Sequence, residues 1–129
     1  MVRGEPSWDI IPELRPAAGE DVIDGCGKGK FVATDLDMLL RQKGMQKLVF
    51  GGVTTSCCVA TTMREAEDLG YECYVLSDCT GDCGAYDYID TIRMAGPRVL
   101  SSEAFLQHVS PDEASPSLFS LPPLHELKG

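Results

Sequence analysis

The stretch LVFGGVTTSCCVATTMREA, residues 48–66, is the most informative part of this 129-residue chain. An apolar run at 48–50 meets two glycines at 51–52, and a helical pattern begins at Cys57-Cys58. This order predicts a buried strand, a tight turn, and a helix whose first turn carries a thiol. Backbone N–H groups and the helix dipole favour the thiolate at such a position, and only the thiolate attacks electrophiles. Cys58 is therefore a candidate nucleophile, while the alternative is a buried cysteine that only packs.

Helices and strands alternate along the chain around this stretch. We predict a helix that is capped by Thr34 and ended by Gly44. A second helix is predicted over 57–69, with Val59, Met63 and Ala66 as its inner stripe and Gly70 as its end. The remaining predicted elements are strands at Asp21–Asp24, Lys47–Val53, Glu72–Ser77 and Arg98–Leu100, and helices at Tyr86–Met94 and Glu103–Val109. The alternation with short loops predicts an α/β fold, a three-layer, Rossmann-like arrangement around a parallel sheet. Ligands of such sheets bind beyond the carboxyl ends of the strands, here at Val53–Cys58 and Asp78–Cys83.

Composition divides the chain into three parts. Residues 1–20 are rich in proline and glycine and predict an extended, partly packed arm. Residues 21–109 form the predicted domain, and residues 110–129, rich in proline and serine, form a tail. The glycine-rich loop at 25–30 lacks the spacing of a phosphate-binding loop and is read as a connection.

The formal net charge of −9 and the lack of a basic patch argue against nucleic acid and anionic membranes as partners. The start has no apolar signal region, and no apolar run reaches membrane-spanning length, so we expect a cytoplasmic protein. Six cysteines without a secretion signal do not indicate disulfides, and their spacing does not match a zinc site. We therefore predict no metal and no cofactor.

Two other thiol chemistries remain open from the residues alone. A catalytic cysteine–histidine pair would need the last quarter of the chain to fold back over Cys58. A redox role would have to use neighbouring thiols although the chain has no CxxC motif. The residues concerned are His108 and His125 for the first, and Cys57-Cys58 or Cys79 and Cys83 for the second.

The segment Gly52–Thr62, GVTTSCCVATT, resembles the signature G-V-x-T-x-x-C-V-x-x-T of the isochorismatase-like cysteine hydrolases. The cysteine of that signature, which is the nucleophile, falls on Cys58. The flanking residues follow the family order over residues 20–109, and 61–66 and 71–81 are most similar to the branch of biuret hydrolase and ureidoacrylate amidohydrolase.

This resemblance implies hydrolysis of a small linear amide or ureide at its C–N bond, through a thioester on Cys58. It also implies an oxyanion turn formed by Val53, Thr54 and Thr55, with a cis peptide bond between Val53 and Thr54. Backbone N–H groups of Thr54 and Cys58 would point at the oxyanion. Family members draw substrate specificity from loops and a neighbouring subunit, so we expect a homo-oligomer.

The sequence departs from the family at two members of its Asp-Lys-Cys triad. The aspartate belongs to a first strand that has no counterpart here, so the fold is expected to be incomplete on its N-terminal side. The lysine lies six residues before the phenylalanine that matches Phe31, and Gly25 stands there, with Lys28 and Lys30 nearby. Lys47–Val53 would then form an open sheet edge. The alternative function is therefore a truncated, catalytically impaired member that acts as a non-catalytic or oligomer-partner domain.

Overall fold

Three parallel strands form the sheet in the computed structural model, which describes residues 4–6, 9–84, 88–95 and 98–108. The strands lie in the order β1 (Lys47–Val53), β2 (Glu72–Gly81), β3 (Arg98–Leu100). The helices are α1 (Leu36–Gln42), α2 (Ala60–Asp68), α3 (Ile89–Ala95) and α4 (Ser102–His108), with a short 3₁₀ turn at Pro12–Leu14 and a π-helical turn at Thr55–Val59. The predicted α/β fold with a parallel sheet is confirmed. The predicted tail at 110–129 lies outside the described residues.

Two glycines end helices, as the sequence predicts. Gly44 has φ +68°, its N–H donates to the Arg41 carbonyl at 3.0 Å, and the Met45 N–H donates to the Leu40 carbonyl at 2.9 Å. These paired bonds satisfy the last carbonyls of α1 and need a residue in the left-handed region, where glycine is unstrained. Gly70, with φ +91°, ends α2 in the same way.

The start of α1 differs slightly from the prediction. The helix begins at Leu36, and Asp35 occupies the cap position without a side-chain capping bond. The Thr34 hydroxyl accepts a hydrogen bond from the Leu36 N–H at 3.4 Å and donates to the Lys30 carbonyl at 2.5 Å. Thr34 therefore shares its hydroxyl between the helix and the preceding loop.

Strand β2 is longer than predicted, because it continues beyond Ser77 to Gly81. Phe50 pairs with Val75, but Gly52 pairs with Thr80, so the register shifts between these two positions and β2 carries the extra residues. Backbone pairing with β1 thus holds residues of low strand propensity in the sheet. β2 was predicted to end before Asp78, but it ends at Gly81, which pairs with Val53.

The core lies where α2 packs on β2. Val59, Met63 and Ala66 were predicted as the inner stripe of the second helix, and their exposed fractions are 6%, 0% and 0%. The other members of the core are Phe31, Ala60, Tyr71, Cys73, Val75 and Ile92. The helix thus covers one face of the sheet directly behind the turn that precedes it.

Strand β1 is half-buried over residues 47–50 and exposed over residues 51–53. The expectation that both of its faces would be covered is wrong for this second half. Among the described strands β1 pairs only with β2, so its other edge is open. The strand expected at Asp21–Asp24 does not form either, and the Asp21 carboxylate instead binds the Lys43 ammonium at 2.5 Å.

Candidate active site

The candidate site is built on the turn that joins β1 to α2. Gly52 has φ +110°, a conformation that favours glycine, and the peptide bond between Val53 and Thr54 is cis. Thr54 is extended, and its carbonyl oxygen accepts hydrogen bonds from the N–H groups of Cys57 at 3.1 Å and Val59 at 3.2 Å. The bond to Val59 spans five residues, so the chain enters the helix through one π-helical turn rather than an α-helical one.

Cys58 lies within this π-helical turn, one residue from its end, rather than in the first turn of a regular α-helix. The helix predicted over 57–69 therefore begins differently and is regular only from Ala60. Cys58 and Cys57 are both half-buried, so exposure does not distinguish the two thiols. The Thr62 hydroxyl donates to the Cys58 carbonyl at 2.7 Å and ties the turn to the helix that follows.

Thr80 of β2 joins both sides of the turn. Its hydroxyl donates to the Gly52 carbonyl at 2.9 Å and lies 2.8 Å from the hydroxyl of Thr55. Since Thr80 gives its only proton to Gly52, Thr55 is the donor between the two hydroxyls. Thr55 is 3% exposed, so this bond satisfies a buried polar group.

Asp82, directly after β2, contacts the first residues of the turn. Its carboxylate accepts hydrogen bonds from the Ser56 N–H at 3.0 and 3.1 Å and from the Ser56 hydroxyl at 2.7 Å. The sequence predicted that residues 78–83 and Val53–Cys58 lie at the same end of the sheet, but it indicated no role for Thr80 or Asp82. Asp82 could have been found from its place in the sequence. It is a polar residue directly after β2, the strand that pairs with β1.

Asp78 makes a similar contact with a different helix. Its two carboxylate oxygens accept from the Ser102 N–H at 2.7 Å and the Ser102 hydroxyl at 2.5 Å, at the start of α4. These bonds hold the pKa of the Asp78 carboxyl below its usual value. Asp78 therefore faces α4, whereas Asp82 faces the cysteine turn.

The glycine-rich loop lies against α2. Glu65 of this helix accepts from the Phe31 N–H at 3.1 Å and lies so close to Gly29 that a β-carbon there would collide with its carboxylate. The Lys30 ammonium donates to the carbonyls of Gly25 at 3.2 Å and Gly27 at 2.8 Å. The loop thus holds the Lys30 side chain across Gly25, the position at which the sequence resemblance predicts the catalytic lysine of the resembled family.

Cys73 is the clearest non-reactive thiol. It is 4% exposed, and burial, with the nearby carboxylates of Glu67 and Glu72, raises its pKa to about 12. A thiol of this kind stays protonated and inert at neutral pH. It provides an internal reference for the reactivity of Cys58.

Two clefts lie between the N-terminal segment and α1, away from the turn. Their volumes are about 620 and 790 Å³, and residues such as Val22, Ile23 and Leu39 line both. No residue of 53–58 lines either cleft. These two clefts are thus separate from the candidate nucleophile.

The described part of the chain contains neither a membrane-spanning helix nor a metal-ligand cluster. None of its helices is long and apolar enough to cross a membrane. Within the same residues, no group of three or more His, Cys, Asp or Glu could hold a metal ion. Of the histidines considered as partners of Cys58, His125 lies outside the described residues, and His108 ends α4.

Known proteins resemble this chain in sequence and in structure. A ureidoacrylate amidohydrolase, RutB, of Serratia proteamaculans is 39% identical over 84 residues, which are 65% of this chain and 34% of that protein. An isochorismatase-like hydrolase from Alkaliphilus metalliredigens superposes with a TM-score of 0.78 at 29% identity, over 83% of this chain and 61% of the other. N-carbamoylsarcosine amidase from Thermoplasma acidophilum gives 0.72 at 30% identity, over 78% and 58%.

These matches cover only part of each similar protein. The chain spans about a third of the length of the ureidoacrylate amidohydrolase and about three fifths of the two solved structures. Residues 1–103 match the Isochorismatase domain, a stretch that includes the N-terminal arm as well as the strand–turn–helix unit. The chain therefore belongs to the Isochorismatase domain family.

Proposed function

We propose that the protein is a cysteine hydrolase that cleaves the C–N bond of a small linear amide or ureide through a thioester on Cys58. The observation that carries the proposal is the position of Cys58 in a turn at the carboxyl end of β1. Thr80 of β2 and Asp82, directly after β2, both bind this turn. The names of two similar proteins, a ureidoacrylate amidohydrolase and an N-carbamoylsarcosine amidase, support this substrate class.

In the proposed reaction the Cys58 thiolate attacks the carbonyl carbon, a C–S bond forms, and the carbonyl oxygen becomes an oxyanion. Backbone N–H groups of the Val53–Thr54–Thr55 turn and of Cys58 stabilise this charge. The intermediate collapses, the C–N bond breaks, and the amine leaves with a proton. Water then attacks the thioester, which releases the carboxylic acid and restores the thiol.

Proton transfer is the part of this reaction to which the proposal assigns no described residue. The thiol proton needs an acceptor and the leaving amine needs a donor, a contribution of about 10²–10⁴ in rate. Gly25 stands at the lysine position of the family, and the Lys30 ammonium is bound to the carbonyls of Gly25 and Gly27. This observation supports a second candidate function, a catalytically impaired member that serves as a non-catalytic or oligomer-partner domain.

An assay of ammonia release distinguishes the two functions. The chain is incubated with biuret, ureidoacrylate and nicotinamide analogues, beside the variants Cys58→Ala and Cys57→Ala. If the chain is a hydrolase, the wild type should release ammonia and Cys58→Ala should not. Cys57→Ala is the matched control for the neighbouring thiol and should retain activity. Lack of turnover on every substrate would reject the proposal and favour the second function, whereas equal turnover in all three proteins would exclude Cys58 as the nucleophile.

Alkylation tests the nucleophile without a substrate. Iodoacetamide at neutral pH should label Cys58 faster than Cys73, which is buried and has a pKa of about 12. Peptide mapping by mass spectrometry gives both rates in one sample. Equal labelling of the two thiols would show that Cys58 is not activated in this chain.

We also propose that the chain forms a homo-oligomer through the open edge of β1. This edge lacks a partner among the described strands, and Val53 at its end is 76% exposed. An open apolar edge invites pairing, and a lysine on it opposes pairing. Light scattering should show that Val53→Lys shifts the protein towards the monomer, whereas Val32→Lys, at a residue that is 68% exposed but outside the sheet, does not. A wild-type monomer at tens of micromolar would contradict this proposal.

A further inference from the structure

We propose that Asp82 is a positioning residue, which holds the cysteine turn in its reactive conformation through Ser56. The inference deepens the proposed function and rests on it, because the thiol that Asp82 would position is that of Cys58. Nothing in the family signature includes Asp82, which lies 24 residues after Cys58 in the sequence.

The contact is local and well defined. The Ser56 N–H lies 3.0 and 3.1 Å from the two carboxylate oxygens of Asp82, and the Ser56 hydroxyl donates to one of them at 2.7 Å. Hydrogen bonds to a charged acceptor are about twice as strong as neutral ones. The Asp82 carboxylate therefore caps the N–H group of Ser56, although Asp82 lies in a different segment of the chain, directly after β2.

The sheet register explains why Asp82 reaches this position. Val53, the last residue of β1, pairs with Gly81, the last residue of β2, so the chain leaves both strands side by side. Asp82 is the first residue after this pair, and Ser56 is the third residue after Val53. Without the register shift between Phe50 and Gly52, Val53 would pair with Asp78 and Cys79 would be the first residue after the pair, so the shift is what brings Asp82 to the turn.

Asp82 binds the outer side of the turn. The Cys57 and Val59 N–H groups donate to the Thr54 carbonyl, whereas the N–H of the exposed Ser56 donates to the Asp82 carboxylate. Thr55 on the inner side is buried and bonded to Thr80, so β2 and the residue after it hold the two sides of the turn. Removal of Asp82 would release the outer side, two residues before Cys58.

Two effects of Asp82 on the thiol have opposite signs, which makes the inference testable. Its negative charge disfavours a nearby thiolate, so removal of the charge alone would speed alkylation of Cys58. Its hydrogen bonds hold the turn that carries Cys58, so their loss would let the thiol leave its reactive position and would slow alkylation. Positioning therefore predicts that Asp82→Ala slows the reaction, while Asp82→Asn, whose amide oxygen still accepts from Ser56, does not.

The experiment measures the rate of Cys58 alkylation by iodoacetamide between pH 6 and 10 for the wild type, Asp82→Asn and Asp82→Ala. We expect Asp82→Ala to react about 10-fold more slowly at neutral pH and to lose at least as much in kcat, with KM little changed. Asp82→Asn should restore the wild-type rate or exceed it. If both variants instead shift the pH profile equally towards faster reaction, Asp82 acts only by its charge and the inference is wrong.

Asp78→Ala is the matched control, because Asp78 makes the same kind of contact to Ser102 at the start of α4. It should lower the stability of the protein, measured by urea unfolding, and leave alkylation of Cys58 unchanged. An equal loss of alkylation in Asp78→Ala and Asp82→Ala would mean a general structural effect and would overturn the inference. Alkylation does not require turnover, so failure of the hydrolase proposal remains distinguishable from failure of this one.

Discussion

The hydroxyl groups of Thr55 and Thr80 lie 2.8 Å apart and connect the cysteine turn to the neighbouring strand. Thr80 also donates to the Gly52 carbonyl at 2.9 Å, so one side chain of β2 binds the residue before and the residue after the Val53–Thr54 peptide bond. The turn is thereby anchored to the sheet independently of the helix that it begins.

Replacement of Thr80 by valine should destabilise the protein by about 1–3 kcal/mol, because the Thr55 hydroxyl is buried and would lose its partner. Thr80→Ser keeps the hydroxyl and removes one methyl group, so its cost should stay below about 1 kcal/mol. Urea unfolding of both variants measures the difference. Equal stability of the two variants would contradict the role assigned to the hydroxyl.

Met63 should be among the most sensitive residues of the core. It has no exposed surface, and it packs in the cluster between α2 and β2. Met63→Ala should cost about 2–5 kcal/mol in the free energy of unfolding, since it removes buried groups and leaves a cavity. Met38→Ala, at a methionine that is 50% exposed, is the control and should cost less than about 1 kcal/mol. A cost of less than about 1 kcal/mol for Met63→Ala would contradict the expectation and would show that neighbouring side chains fill the cavity.

Acid should lower the free energy of unfolding, in part through protonation of Asp78. Hydrogen bonds from the Ser102 hydroxyl and N–H lower the pKa of Asp78 below 3.8 in the folded state. A carboxyl with a depressed folded pKa stabilises the fold above its unfolded pKa, and this contribution is lost as the pH falls through the folded pKa. Asp78→Asn should therefore be less stable than the wild type at pH 7, and the gap should narrow below about pH 4. Thermal unfolding across this range tests the expectation, and a gap that does not change with pH would refute it.

Alkaline pH should act on Cys73 in the opposite direction. Its pKa is raised from 9.0 to about 12 by burial and by Glu67 and Glu72. Its contribution to stability is complete below the unfolded value and is lost as the pH rises from about 9 to 12. Cys73→Ala should show a weaker loss of stability over that range than the wild type. Urea midpoints at pH 8 and pH 10.5 measure this, and parallel losses would contradict it.

A lysine placed at Gly25 should increase hydrolase activity. A β-carbon at Gly25 would lie 3.1 Å from the Thr34 methyl and 3.7 Å from the Lys30 δ-carbon, so a side chain fits after a small shift of Thr34. If Gly25 occupies the lysine position that the sequence resemblance implies, Gly25→Lys should raise kcat/KM by about 10-fold or more, within the range of general acid–base effects. Gly25→Met adds similar bulk without charge and should not. Equal activity of the two variants would exclude a role for the amine.

Local patterns predicted most of the described elements correctly. The bounds of β1 and β3 match the predictions, and Gly44 and Gly70 end their helices because only glycine adopts positive φ without strain. The inner stripe of Val59, Met63 and Ala66 followed from helical periodicity and is buried. The strand predicted at Asp21–Asp24 was wrong, because Asp21 forms an ion pair with Lys43 and the segment has no strand partner among the described residues.

Local periodicity and a contiguous signature are enough to assign the family, the parallel α/β sheet and the place of Cys58 after β1. Three further features come from the folded chain: β2 continues to Gly81, Thr80 joins Gly52 to Thr55, and Asp82 caps Ser56. These contacts depend on strand register, which is set by the pairing of backbones that lie far apart in the sequence. Local pattern therefore located the thiol, and long-range pairing selected the residues that surround it.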